Sequence, residues 1–152
     1  MAKADYPYTG KQGECQYKEE SATFKNTGMM QERYMSNEKL KALVNKQPVT
    51  AGIVVTEAFR AYNNGIMTEE FLACSDEKMN INQAITIVGF GKTDKTMVAS
   101  TWCSEFWIAR NSWGSSWGEQ GFFRLCMDNA GRGKTPYGTC QINRFPSYPI
   151  IE

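Results

Sequence analysis

Residues 111–121 read Asn111-Ser112-Trp113-Gly114-Ser115-Ser116-Trp117-Gly118-Glu119-Gln120-Gly121. The three glycines of this run permit backbone angles that other residues rarely adopt, so they predict tight turns. We expect Trp113 and Trp117, which lie on these turns, to pack against the core. A phosphate-binding role is not indicated, because the chain has no G-x-x-x-x-G-K-[ST] sequence and no dinucleotide-binding fingerprint. The same chain contains no histidine.

Length and composition predict a single domain covering residues 1–152. The chain is long enough to bury a sizeable core, and 41% hydrophobic with 22% charged residues is ordinary for a globular protein. The formal net charge of +1 gives no electrostatic footprint for nucleic acid. The longest purely apolar stretches, such as residues 53–55, are far shorter than a membrane span. We therefore expect neither a nucleic-acid partner nor membrane insertion.

Periodicity and turn residues predict a mostly antiparallel β domain with one or two short helices. A helix is predicted over residues 36–47, with Ser36 as its N-cap and Pro48 as its end. A second, shorter helix is predicted over 57–62. Strands are predicted over residues 49–55, 84–90, 106–110 and 121–126. Residues 84–88 are apolar nearly throughout, which suggests a strand buried on both faces, and residues 5–20 are typical of turns.

The run at 111–121 resembles the asparagine motif of papain-like cysteine proteases, N-S-W-G-x-x-W-G-x-x-G. The run Gln83-Ala84-Ile85-Thr86-Ile87-Val88-Gly89-Phe90-Gly91 resembles the strand that carries their catalytic histidine, H-A-V-x-x-V-G-Y-G. Further similarity lies in residues 5–15, 47–49, 62–66, 106–110, 137–140 and 147–149. The resemblance covers about residues 5 to 150 and implies an α+β, mostly β fold. It is specifically similar to the antiparallel, β-barrel-like C-terminal lobe of the papain-like fold.

The resemblance also implies what the chain would lack as an enzyme. In papain-like proteases an N-terminal helical lobe carries the nucleophilic cysteine, and we expect that lobe to be absent. Gln83 stands where the family has its histidine, and a glutamine amide does not titrate near neutral pH. The resemblance therefore gives Gln83, Asn111 and Trp113 as relic positions rather than catalytic residues. Asn111 could hydrogen-bond to the Gln83 amide or satisfy only local backbone groups.

The five cysteines are an odd number, so at least one thiol has no internal partner. Without a C-x-x-C pair or a histidine, we expect neither a metal site nor a cofactor. The resemblance implies a disulfide between Cys74 and Cys140. It also implies that Cys15 is free or joined to another chain, because the family partner of this cysteine lies in the other lobe. Cys103 and Cys126 match no family position, and we expect buried, inert thiols there.

These observations favour a catalytically inactive homologue that acts as a structural or protein-interaction subunit of a larger assembly. The alternatives are a regulator or peptide-binding partner of active papain-like proteases, or one chain of a split two-lobe protein. A protein partner is expected on the face that would pack on the other lobe, since exposed apolar faces mark association sites. Family habit suggests a lysosomal or secreted location, although the chain shows no signal peptide.

Overall fold

The computed structural model describes residues 6–74, 78–94, 103–127 and 137–151. These residues form a mostly β structure with three short α-helices, α1 (Asn37–Val44), α2 (Glu57–Arg60) and α3 (Glu69–Leu72). Two short 3-10 helices cover Glu19–Ser21 and Thr139–Gln141. The strands are β1 (Gly28–Gln31), β2 (Val49–Ile53), β3 (Ile66–Met67), β4 (Gln83–Lys92), β5 (Glu105–Arg110), β6 (Phe122–Cys126) and β7 (Ser147–Ile150).

The seven strands form one mixed sheet in the order β1-β7-β2-β4-β5-β6-β3. Strand β4 pairs antiparallel with β2 and β5, and β5 pairs antiparallel with β6. Strand β3 pairs with β6 in parallel, which makes the sheet mixed. The prediction of a mostly β fold with few short helices is confirmed.

By its internal contacts the chain divides into two compact units. One unit consists of residues 1–29 and 149–152, and the other of residues 30–148. Within the first unit, the backbone N–H of Thr27 donates to the carbonyl of Ile150. The second unit contains all three α-helices and strands β2 to β6. The assignment of residues 1–152 to a single domain stays a prediction.

Helix α1 forms where capping and periodicity predict it. The side chain of Ser36 accepts a hydrogen bond from the backbone N–H of Lys39 at 3.3 Å, which satisfies one free donor of the first turn. Leu40 and Val44 bury the inner side of the helix, and it ends before Pro48. Helix α2 also forms, but it ends at Arg60 rather than at residue 62.

The prediction that residues 84–88 are buried on both faces is wrong. Ile85 and Ile87 are buried, whereas Ala84 is exposed and Val88 keeps 39% of its surface in contact with solvent. Successive side chains of a strand point to opposite faces, so β4 buries only one face in this chain. The buried face belongs to the main hydrophobic core, together with Trp107 and Phe123.

The cysteines form two disulfides. Cys74 is joined to Cys140 across 66 residues of sequence, which is the pair that the family resemblance implies. Cys103 is joined to Cys126, with 5.7 Å between their Cα atoms. The expectation of inert thiols at these two positions is therefore wrong, because the β5–β6 hairpin brings them within bonding distance. Cys15 is exposed and has no disulfide partner in the described chain.

No α-helix in the described part of the chain is long and apolar enough to span a membrane.

Candidate functional site

The candidate site forms where the start of β4 meets the end of β5. Because these strands are antiparallel, Gln83 at the beginning of β4 lies beside Asn111, which follows the last residue of β5. Gln83 Nε2 donates a hydrogen bond to Asn111 Oδ1 at 2.7 Å. The same nitrogen lies 3.5 Å from Ser112 Oγ, which is too long for a strong bond. The structure thus brings Gln83 and Asn111, two of the three positions that the sequence singles out, into direct contact.

Asn111 is buried, with 5% of its surface exposed. Its Oδ1 also accepts from the backbone N–H of Ser112 at 2.8 Å, and its own backbone N–H donates to the carbonyl of Gly121. The side chain of Asn111 therefore bonds both the Gln83 amide and a local backbone group, the two alternatives that the sequence left open. Its Nδ2 is buried and has no hydrogen-bond partner within the described residues. The Gln83 amide and the Ser112 backbone N–H both donate to the same end of the Asn111 amide, so that end must be the oxygen Oδ1 and the unpaired end the nitrogen Nδ2.

Trp113 and Trp117 pack as the sequence predicts. They contact each other edge to face, with ring centroids 5.0 Å apart. Both rings also contact Phe59 of α2, which is fully buried. Trp117 Nε1 donates to the backbone carbonyl of Arg60 at 2.9 Å, so the polar end of this ring is satisfied. The two tryptophans therefore hold the 111–121 loop against α2.

A partly buried polar cluster fixes the far end of the same loop. Glu119 Oε1 accepts from Arg124 Nε and Nη2 at 3.0 and 2.8 Å, and lies 2.5 Å from the Tyr62 hydroxyl. Burial, and then the hydrogen bond with Glu119, raises the pKa of Tyr62 far above its ordinary value. For Glu119, burial alone would raise the pKa, but the bonds from Tyr62 and Arg124 outweigh it and hold the pKa below its usual range. The carboxylate is therefore ionised at neutral pH.

The turn between Trp117 and Glu119 requires a glycine at position 118. Its φ of +58° lies in the left-handed region, and a Cβ added there would lie 2.6 Å from the carbonyl oxygen of Phe122. No side chain fits such a distance, so the turn depends on glycine here.

A groove of about 340 Å³ lies beside the Gln83–Asn111 pair. Asn111 and Ser112 lie around it, and the other lining residues come from β2, β4 and the end of β5. The lining residues are Thr50, Ala84, Ile85, Thr86, Arg110, Asn111 and Ser112. We call this set the Asn111 groove. Sequence reasoning missed Thr50, Thr86 and Arg110, because only the register of the sheet brings them together.

Among the described residues, no group of three or more histidine, cysteine, aspartate or glutamate side chains is arranged to hold a metal ion.

Comparison with known proteins decides the family. Residues 1–150 match the papain family of cysteine proteases. The chain belongs to this family. It is 32% identical over 147 residues to the oryzain gamma chain of Oryza sativa subsp. japonica and 30% identical over 147 residues to pro-cathepsin H of Medicago truncatula. These matches cover 96% of this chain but only 36% and 37% of the relatives.

The solved structures agree with the family assignment. The bromelain protease from Ananas comosus, in complex with the E64 inhibitor, superposes with a TM-score of 0.75 and 27% identity. That match covers 99% of this chain and 62% of the bromelain chain. The chain therefore spans a little over one third of the curated relatives' length and shares their fold over nearly all of its own.

Proposed function

We propose that this papain family homologue is catalytically inactive and serves as a structural or protein-interaction subunit. In this proposal, residues 1–152 correspond to the family lobe that carries the histidine and asparagine. The observation that carries it is the 2.7 Å hydrogen bond from Gln83 Nε2 to Asn111 Oδ1. Gln83 lies well inside the chain, so this observation does not depend on where the chain begins or ends.

The chemistry of the pair explains why hydrolysis is not expected. A histidine at the position of Gln83 would donate one ring N–H to the asparagine and use the other nitrogen to take a proton from a cysteine thiol. Glutamine reproduces the first contact, because its amide nitrogen is a donor. Its oxygen cannot take up a proton near neutral pH, so it can neither act as a general base nor leave an imidazolium beside a thiolate. The pair keeps the family's hydrogen bond and loses its proton transfer.

The rest of the structure supports a retained scaffold. The Cys74–Cys140 disulfide, the packed tryptophans and the Tyr62–Glu119–Arg124 cluster all stabilise the fold without requiring catalysis. Fold and activity separate readily in evolution, since activity depends on a few side chains. The face beside Gln83 and Asn111 is the one that a two-lobed relative covers. We therefore propose that a protein partner covers this face, and that the chain binds neither nucleic acid nor membrane.

A second candidate function is peptide-binding or regulatory partnership with active papain family proteases. The Asn111 groove favours it, because the groove lies next to the place where the family's cleft would be and offers hydrogen-bonding groups from three strands. Binding of a peptide there requires no base at Gln83.

A peptidase assay tests the proposal. The chain and its Gln83→His variant would be incubated with a panel of fluorogenic peptide amides between pH 4 and 8, with reductant present. We expect no hydrolysis above buffer for either protein, because residues 1–152 lack the family's activated nucleophile in this proposal. Hydrolysis by the unmodified chain that disappears on alkylation with iodoacetamide would refute inactivity.

The native mass of the chain isolated gently from its source, with identification of co-purifying chains, tests the subunit role. A lone monomer would count against it.

A further inference from the structure

Three residues on adjacent strands form one polar row on the outer face of the sheet. Thr50 of β2 lies directly opposite Thr86 of β4, and Thr86 lies directly opposite Arg110 of β5. Directly opposed residues share a face of the sheet, so the two hydroxyls and the guanidinium point to the same side. The row continues to Phe122 of β6, which is opposite Arg110 and 36% exposed. The Asn111 groove follows the polar part of this row.

Asn111, which lines the groove, carries a buried donor that has no acceptor among the described residues. Only 5% of the surface of Asn111 is exposed, and its Nδ2 has no hydrogen-bond partner in the described chain. An unpaired buried polar group makes the folded chain less stable than a paired one would. Both acceptor positions around the amide oxygen are already used by Gln83 and Ser112, so rotating the amide would only exchange one unpaired group for others.

The groove also contains a charge without a counter-charge. Arg110 is exposed and forms no ion pair with any residue in the described ranges. A guanidinium presents several N–H donors in a planar fork that matches a carboxylate. The hydroxyls of Thr50 and Thr86 can donate as well. Every polar side chain of the row can therefore offer a hydrogen to an anion.

We infer that the Asn111 groove binds an aspartate or glutamate side chain of a protein partner. This inference rests on the proposed function and deepens it by naming the chemistry of the partner. A carboxylate accepts up to about four hydrogen bonds, which the guanidinium of Arg110 and the hydroxyls of the two threonines can supply. The partner is held by charge and hydrogen-bond complementarity rather than by a large apolar patch, because the row is polar as far as Arg110.

A protein carboxylate fits these observations better than a phosphate-bearing polymer. Arg110 is the single cation among the described residues that line the groove, and the whole chain has a net charge of only +1. A polymer of phosphates, which binds through several cations, would therefore find little electrostatic attraction here. Phe122 and Val88, 36% and 39% exposed, lie on the same sheet near the row and suit the apolar side chains that flank an acidic residue in a protein.

Matched peptides test this inference on the whole chain. The ¹⁵N-labelled protein would be titrated with acetyl-Leu-Glu-Leu-amide, with acetyl-Leu-Gln-Leu-amide and with inorganic phosphate. The side-chain amide of Asn111 and the backbone amides of Ala84, Thr86 and Ser112 would be followed. We expect the glutamyl peptide to shift these signals with a Kd at least about tenfold lower than that of the glutaminyl peptide, because hydrogen bonds between charged groups are worth more than 1.4 kcal/mol.

Two arginine variants locate the effect. Arg110→Gln should remove the preference for the glutamyl peptide. Arg33→Gln changes an exposed arginine that does not line the groove, so it should keep the preference. Since Arg110→Gln alters an exposed side chain, both variants should keep the folded spectrum. Should Arg110→Gln fail to fold, Arg110→Lys, which keeps the charge but loses the planar fork, should weaken the glutamyl peptide several-fold.

Several results would overturn the inference. These are equal affinity for the two peptides, an absence of groove shifts with either, or a preference that survives Arg110→Gln. Tighter binding of phosphate than of the glutamyl peptide would assign the groove to a free anion instead. The peptidase assay is independent of these readouts, since thiol-dependent hydrolysis would refute the proposed inactivity and leave a measured carboxylate preference in place.

Discussion

The two faces of the β2–β4–β5 sheet differ in what determines their side chains. On the inner face Ile85, Ile87 and Ala109 are buried in the main hydrophobic core, where they pack against other apolar side chains of the same chain. On the outer face Thr50 and Arg110 are exposed, and the buried Nδ2 of Asn111 has no partner in the part of the chain that the structure describes. The inner face is explained by folding alone. The outer face is not, and for that reason it is where an external partner is to be sought.

Neighbouring residues of β4 test this difference most strongly. Ile87→Ala removes a fully buried side chain and should lower the free energy of unfolding by about 2–5 kcal/mol, because it leaves a cavity in a packed core. Val88→Ala, one residue later and on the other face, should cost less than about 1 kcal/mol. Urea unfolding followed by tryptophan fluorescence gives both values. Similar losses at the two positions would mean that both faces are covered in the free chain.

The turn at Gly118 provides the next largest effect. Gly118→Ala forces a Cβ to within 2.6 Å of the Phe122 carbonyl oxygen at a positive φ, and should cost about 1–3 kcal/mol. Gly89→Ala is the matched control, because the nearest atom to its new Cβ would lie 3.8 Å away and its φ is not positive. Thermal unfolding of both variants measures the contrast. A Gly118→Ala protein as stable as the control would show that the turn can shift without disturbing the loop.

The Glu119 carboxylate should give a smaller and pH-dependent effect. Its pKa is held below its usual range, so its contribution to stability is present above the unfolded pKa of about 4.3 and is lost as the pH falls through the folded value. Glu119→Gln should therefore be about 1 kcal/mol less stable than the parent at pH 7, and this difference should shrink below about pH 4. Urea midpoints measured from pH 7 to pH 3 provide the curve.

Glu57→Gln is the control for this pH dependence. Glu57 pairs with Arg60 at 3.4 Å, but its side chain is 93% exposed, so the pair contributes little. The free energy of unfolding of Glu57→Gln should differ little from that of the parent, and the difference should stay constant across the same pH range. A flat curve for Glu119→Gln as well would show that the Tyr62–Glu119–Arg124 cluster does not depend on the charge of Glu119.

The elements that the sequence predicts well are those with complete local signals. Helix α1 has a capping serine, two inward-facing apolar residues and a following proline. Strand β3 has only two residues, and its position depends on pairing with Arg124 and Leu125, which lie far along the chain. Helix α3 spans a single turn, too short for any periodicity to show. Such elements are set by tertiary contacts, so local patterns do not reveal them.

The candidate site divides in the same way. The family resemblance singles out Gln83 and Asn111, and the structure brings them together. The polar row is not visible in the sequence, because Thr50, Thr86 and Arg110 meet only through the register of three strands. The Cys103–Cys126 disulfide was likewise not predicted, because its pairing follows from the β5–β6 hairpin rather than from cysteine spacing. Long-range register is the information that the local sequence lacks.

The smallest expected effect is the coupling between Gln83 and Asn111. A double-mutant cycle with Gln83→Ala, Asn111→Ala and the double variant should give a coupling free energy of about 0.5–1.5 kcal/mol, the net value of one hydrogen bond. Asn111→Ala alone should cost more than Gln83→Ala, because it also removes the acceptor for the Ser112 backbone N–H. Zero coupling would show that the two side chains do not hold each other in place. The pair would then have no structural role, and the proposed partner would have to bind the outer face without support from Gln83.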